Sequence, residues 1–138
     1  MRLMATLQWT PALSVGNEDI DEQHQELFRR AERLILALRA GDRSEVEPLV
    51  GYLGDYVVSH FEAEERLMRE SRFPGLAEHE AAHGAFRRDF QDLFLDLRRK
   101  GATALVALSL HNWIAAWLKD HVAGMDADLG AWLARRTR

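Results

Sequence analysis

From Glu18 to Ala40 the chain reads EDIDEQHQELFRRAERLILALRA. Ile20, His24, Leu27, Ala31, Leu34 and Leu38 recur every three or four residues, the period of an α-helix that hides one face from water. Gly41-Asp42 closes the run with the residue best suited to the left-handed position after a helix. The same period continues downstream. A second helix is expected from about Ser44, where Ser44 and Glu47 have capping-box spacing and Pro48 blurs the start, with Leu49, Tyr52, Leu53, Tyr56, His60, Glu64, Leu67 and Met68 on its stripe. Phe73-Pro74-Gly75 breaks the chain. A third helix then runs to about Lys100 with Leu76, His79, His83, Phe86, Phe90, Leu93 and Leu97 inward.

After Gly101, Thr103 can cap a fourth helix that carries Val106, Leu110, Trp113, Ile114, Trp117 and His121 inward. Gly124 and Gly130 are expected to end or interrupt it. Four helices of this length with short connections pack antiparallel. The reading is therefore an all-α, antiparallel up-down four-helix bundle over residues 18–123. An N-terminal arm over 1–17, containing Trp9 and Pro11, precedes it, and a short C-terminal helix lies within 124–138. The 138 residues suit one domain spanning 1–138.

Composition narrows the function. The absence of cysteine removes disulfide scaffolds, thiolate metal sites and cysteine nucleophiles. A net charge of −4, from 18 basic and 22 acidic side chains, has the wrong sign for a protein that neutralises phosphates, so no nucleic-acid partner is expected. The basic runs Arg98-Arg99-Lys100 and Arg135, Arg136, Arg138 fall where helices end and cations suit the dipole. The Met1–Leu7 stretch is too short for the apolar part of a signal peptide, and the apolar region from Leu105 to Leu118 falls short of a membrane span. No membrane partner and a cytoplasmic location are the expectation.

Six histidines remain, and five fall on the apolar stripes together with one glutamate. Residues four apart on a helix differ by about 40° in direction, so His60 and Glu64 point together, as do His79 and His83. His24 and His121 add a donor each from the first and fourth helices. Asp126, five residues beyond His121, would lie about 140° away on a straight helix; Gly124 between them gives the chain a reason to loosen and bring it inward. His111, about 80° around the helix from His121, is assigned a surface or supporting role.

Burying these seven groups unpaired would cost more than the roughly 5–15 kcal/mol a domain has to spare. Either the groups satisfy one another in an unusual polar network, or metal ions satisfy them, and the count of donors favours metal. Five imidazoles and two carboxylates exceed the needs of one ion, whereas two ions with both carboxylates bridging use all seven, and a nitrogen and oxygen donor set with open positions suits iron. The ferritin-like alternative needs two Glu-x-x-His motifs, and only Glu80-Ala-Ala-His83 is present at a site position.

The chain also resembles the bacterial hemerythrins from Trp9 through Leu133. The residues that carry the likeness are Ile20-Asp21-Glu22-Gln23-His24, His60-Phe61-Glu62-Ala63-Glu64-Glu65, His79-Glu80-Ala81-Ala82-His83 and His121-Val122-Ala123-Gly124-Met125-Asp126. The resemblance implies a non-haem di-iron centre that binds O2 reversibly. One iron would take His79, His83 and His121, and the other His24 and His60 with a vacant position. Glu64 and Asp126 would bridge the two irons together with an oxo or hydroxo group. Leu27, Phe61, Trp117, Leu118 and Val122 are expected to line a dry pocket over the vacant position, where dryness slows loss of bound oxygen. Val122 stands where Ile is common in the family. No acid or base beyond the ligands is evident, which favours a reversible binder for oxygen storage, transport or delivery over an enzyme. The alternatives are an oxygen or nitric-oxide sensor module and a weak di-iron oxidase or peroxidase. A separate protein partner, receiving oxygen or signal, would serve either a carrier or a sensor.

Overall fold

The computed structural model describes residues 8–101 and 103–136; the Met1–Leu7 stretch and the end of the basic tail at Arg138 lie outside them. Five α-helices follow a single 3-10 turn at Pro11–Leu13: α1 (Glu18–Ala40), α2 (Arg43–Ser71), α3 (Leu76–Lys100), α4 (Ala104–His121) and α5 (Ala127–Arg136), with a π-helical turn, Val122–Asp126, joining the last two. No strand occurs among the described residues. α1 packs on α2 and α4, and α3 on α2 and α4, which closes the four-helix ring expected of an up-down bundle.

Local chemistry sets the helix ends. Asn17 caps α1 by accepting from the Ile20 amide at 3.0 Å, and Gly41 closes it with φ of 69°, where a Cβ would be strained. Thr103 caps α4 as expected, accepting from Val106 N. The start of α2 differs from expectation: Asp42, not Ser44, is the cap, its carboxylate accepting from the Ser44 amide and hydroxyl. Asp42 does both jobs because it directly follows the Gly41 turn. The basic runs end α3 and α5 as the dipole favours.

The α1 stripe is buried along its whole length. On α2 the buried face is Val46, Val50, Leu53, Val57, His60, Phe61, Glu64 and Met68. Tyr52, expected inward, is 60% exposed; it sits at the edge of the stripe, where the Arg30 guanidinium lies 5.2 Å from its ring centroid and offers a surface partner.

The two ends of the bundle differ in composition. The end holding the C-terminus of α1 and the N-termini of α2 and α4 is filled by Leu34, Ile35, Leu38, Val46, Val50, Leu97 and Leu110. The opposite end, with the start of α1, the end of α2, the start of α3 and the end of α4, carries the polar groups. α4 does not stop at Gly124, nor α5 at Gly130. The helix runs through the π turn to Arg136, and Gly130 instead lets the N-terminal arm approach: a Cβ there would stand 2.0 Å from the Val15 carbonyl oxygen.

Candidate metal centre

Antiparallel packing alone brings the stripe histidines to one level, since His24, His79 and His83 lie near helix N-termini and His60 and His121 near C-termini. Asp126 needs more. In the π turn the Ala127 amide reaches back five residues to the Val122 carbonyl. This wider turn sets residues five apart one above the other, where an α-helix sets residues four apart. Asp126 therefore lies over His121, and their Oδ1 and Nε2 are 3.0 Å apart.

All seven residues converge and all are buried. They form two groups that share both acids: Glu64, His79, His83, His121 and Asp126 on one side, and His24, His60, Glu64 and Asp126 on the other. Asp126 divides its oxygens, Oδ1 lying 3.0 Å from His79 Nε2 and from His121 Nε2, and Oδ2 lying 2.8 Å from His24 Nε2. Glu64 Oε1 faces His83 Nε2 at 3.2 Å, His60 Nε2 at 3.4 Å and His79 Nε2 at 3.7 Å, and Oε2 is 3.9 Å from His24 Nε2.

The donor atoms fit metal better than one another. His79 Nε2 and His121 Nε2 are 3.2 Å apart, and two nitrogens about 2.1 Å from an ion at a right angle would be separated by about 3.0 Å. Both oxygens of Glu64 and of Asp126, together with His24 Nε2 and His83 Nε2, are fully buried and make no hydrogen bond of good geometry despite these short separations. Leaving so many buried polar atoms unsatisfied would cost about 1–3 kcal/mol each. Their ligand atoms nonetheless lie within 4.8 Å of one another in each group, close enough to share a metal ion.

The ionisation tendencies divide the members of the cluster. Burial, aided by the charge of His24, pushes His60 down to about 3. Burial and the neighbouring His79 push His83 down to about 2. Both imidazoles are thus neutral, the state in which nitrogen coordinates. His79 is desolvated too, but the close Asp126 and Glu64 carboxylates outweigh burial and raise it to about 9. Burial and the Asp126 charge raise Glu64, whereas His121, His24 and His79 outweigh the burial of Asp126 and lower it.

The expected pocket residues are placed unevenly. Leu27, Phe61, Leu118 and Val122 are buried, while Trp117 is only half-buried. Phe61 stacks on His83 with ring centroids 3.7 Å apart, and Trp117 stacks on His121 at 4.3 Å. Phe61 also has its ring centroid 6.0 Å from that of His60, so it borders both groups of imidazoles, while Trp117 covers the group with three. His111 corrects an expectation in part. It is buried, not on the surface, with Nδ1 3.2 Å from Asn112 Oδ1. Ten residues before His121 along α4, it is about 15 Å from the cluster.

Two residues that the stripe reasoning left without a role touch the ligands' outer edges. His60 Nδ1–H donates to Gln23 Oε1 at 2.7 Å, and His83 Nδ1–H donates to Glu65 Oε2 at 2.8 Å. Each acceptor lies next in sequence to a cluster residue, His24 or Glu64. Each also serves a histidine on another helix, so periodicity along one helix carries no trace of it.

A helical bundle whose interior gathers five imidazoles and two carboxylates common to both groups defines a class: helical proteins with a buried histidine and carboxylate metal site. The family profile described as Hemerythrin HHE cation binding domain matches residues 15–133. The bacteriohemerythrin of Stenotrophomonas maltophilia is 31% identical over 123 residues, 89% of this chain and 78% of that protein. That of Methylococcus capsulatus is 30% identical over 134 residues, 95% of this chain and 99% of that one. A hemerythrin-like protein of Naegleria gruberi is 35% identical over 118 residues, 86% of each chain. A crystal structure of wild-type hemerythrin superposes with a TM-score of 0.84 at 28% identity, covering 94% of this chain and 99% of that one. The chain belongs to the hemerythrin family, and its buried cluster fits a di-iron site.

Proposed function

We propose that this protein binds O2 reversibly at a non-haem di-iron centre and is a carrier or store rather than an enzyme. The observation that carries this reading is the unequal division of donors around two shared acids. Glu64 and Asp126 would serve both ions, His79, His83 and His121 would hold one of them, and His24 and His60 the other. The second ion would have one protein donor fewer, which would leave it a place for a small ligand. Iron, when bound, supplies the electrons that O2 draws on.

The chain's own residues do the rest. The five imidazoles present Nε2 inward, with Gln23 and Glu65 holding His60 and His83 by their outer nitrogens. Phe61, Leu118 and Val122 keep water out of the surroundings, and Leu27, one turn from His24, does so on the two-imidazole side. The residues expected to line the pocket are hydrocarbon or indole, and the further carboxylate in contact, Glu65, is engaged on the outer side by His83 Nδ1–H and Arg87. That arrangement supports binding over turnover. Among the described residues no helix is long and apolar enough to cross a membrane.

Metal analysis combined with visible spectra under alternating argon and air tests the proposal. About two irons per chain are expected from the donor count, with an absorption band that appears in air and disappears under argon. A single metal per chain, or a band that never reverses, would overturn it.

A further inference from the structure

The two halves of the cluster are braced by chemically different groups. On the three-imidazole side, the acceptor for His83 Nδ1–H is the Glu65 carboxylate, and the Arg87 guanidinium stands 3.7 Å from that same oxygen. Arg87 also lies over the Phe61 ring, 5.3 Å from its centroid, so Glu65, Arg87, Phe61 and His83 form one packed unit. On the two-imidazole side, the acceptor for His60 Nδ1–H is the neutral Gln23 amide oxygen. His24 Nδ1 and His79 Nδ1 are buried without a hydrogen bond, so neither compensates for the difference. A carboxylate acceptor draws the Nδ1 proton more strongly than an amide does. It leaves more electron density at the coordinating Nε2, and the charge-assisted bond is about twice as strong as a neutral one.

We propose that Glu65 and Gln23 are positioning residues that make the two metal positions unequal. Glu65, acting through His83, strengthens the position with three imidazoles. Gln23, acting through His60, leaves the position with two imidazoles the more weakly held and the more easily reduced. The inference rests on the dinuclear reading above and adds to it a reason, in this chain's own residues, for the ligand-accepting ion to favour its ferrous state.

Cobalt(II) titration of the 138-residue chain after removal of metal, at about pH 8 and followed by absorbance and calorimetry, tests it. Two binding stages are expected in the unaltered protein. Glu65→Gln should weaken the tighter stage by about 10- to 100-fold and leave the other within about threefold, while Gln23→Glu should tighten the weaker stage. The double exchange should bring the two stages together. In proton spectra of the cobalt-loaded protein, each single variant should move a different paramagnetically shifted exchangeable resonance, a signature that a general loss of packing would not give. If Glu65→Gln weakens both stages equally or neither, with helicity retained, the proposal is overturned. If that variant does not fold, Gln23→Glu decides: a tightened weaker stage supports the proposal, and an unchanged or weakened one overturns it. Binding of a single cobalt to the unaltered chain would instead bring down the dinuclear reading itself.

Discussion

Asp126 and Glu64 are both acids at 0% exposure, yet they commit their oxygens differently. Asp126 gives one oxygen to each group of histidines at 2.8 to 3.0 Å, while Glu64 Oε1 is shared among three. If two ions share these acids as proposed, removing either acid would strip a donor from both metal positions at once. Glu64→Ala is expected to lose most of its iron, and His79→Ala to lose at least one of the two, by metal analysis after purification. His111→Ala is expected to keep both irons. Its cost is of another kind, roughly 1–3 kcal/mol for emptying a buried polar position, read from a urea midpoint. Loss of iron from His111→Ala with the fold intact would contradict the geometry, because that ring is about 15 Å up the helix. Five of the six histidines were legible as members of the cluster because each shares a stripe with apolar residues. Gln23 and Glu65 were not, since what they touch depends on how two helices are set against each other.

The four helices were legible because each stripe is long and consistent, but elements were less legible where a residue serves two of them. Asp42 caps α2 because Gly41 has just ended α1, and the Ser44 and Glu47 spacing gave no sign of it. Gly130 has the look of a helix stop and is in fact a seat for the arm: only tertiary packing distinguishes the two. The glycines of the C-terminal run therefore behave oppositely on substitution. A Cβ added at Gly124 would meet nothing within 4 Å, and the backbone angles there are ordinary, so Gly124→Ala should leave metal content unchanged and shift stability by no more than about 1 kcal/mol. Gly130→Ala forces the arm off α5 and should cost roughly 1–3 kcal/mol, with faster proteolysis of the segment around Val15. Inserting one alanine after Gly124 is the sharper test of the π turn. The lengthened turn would carry Asp126 about 100° away from His121, and iron should be lost while helicity by circular dichroism is kept.

Across the whole molecule the cluster joins all four helices of the ring at one end, so metal and fold are thermodynamically linked. Chelation is expected to lower the melting temperature and to loosen that end first, because the opposite end is closed by aliphatic packing alone. The metal-free protein should also show a peaked pH dependence. Folding holds His60 at about 3 and His83 at about 2, against 6.5 in the unfolded chain, so the stability they allow above pH 6.5 is lost progressively as pH falls toward 3. Glu64, raised by burial and by Asp126, opposes them in part above its ordinary value of 4.5. His79, raised to about 9, contributes below pH 6.5 and loses that contribution as pH rises to about 9. The urea midpoint of the metal-free chain should therefore be highest near pH 6.5 and fall on both sides. A midpoint still rising between pH 7 and 9 would show that His79 does not hold its proton against Glu64 and Asp126.

Trp117 gives this centre an optical witness. Its indole lies nearly parallel to His121, 14° between the planes, with one edge reaching the surface between α3 and α4. Light absorbed there is emitted within one residue of an open-shell ion or is lost to it. Of the four tryptophans in the chain, this one should darken as iron enters and brighten as it leaves, so the filling of a colourless, metal-free sample can be followed by its own fluorescence without any added dye.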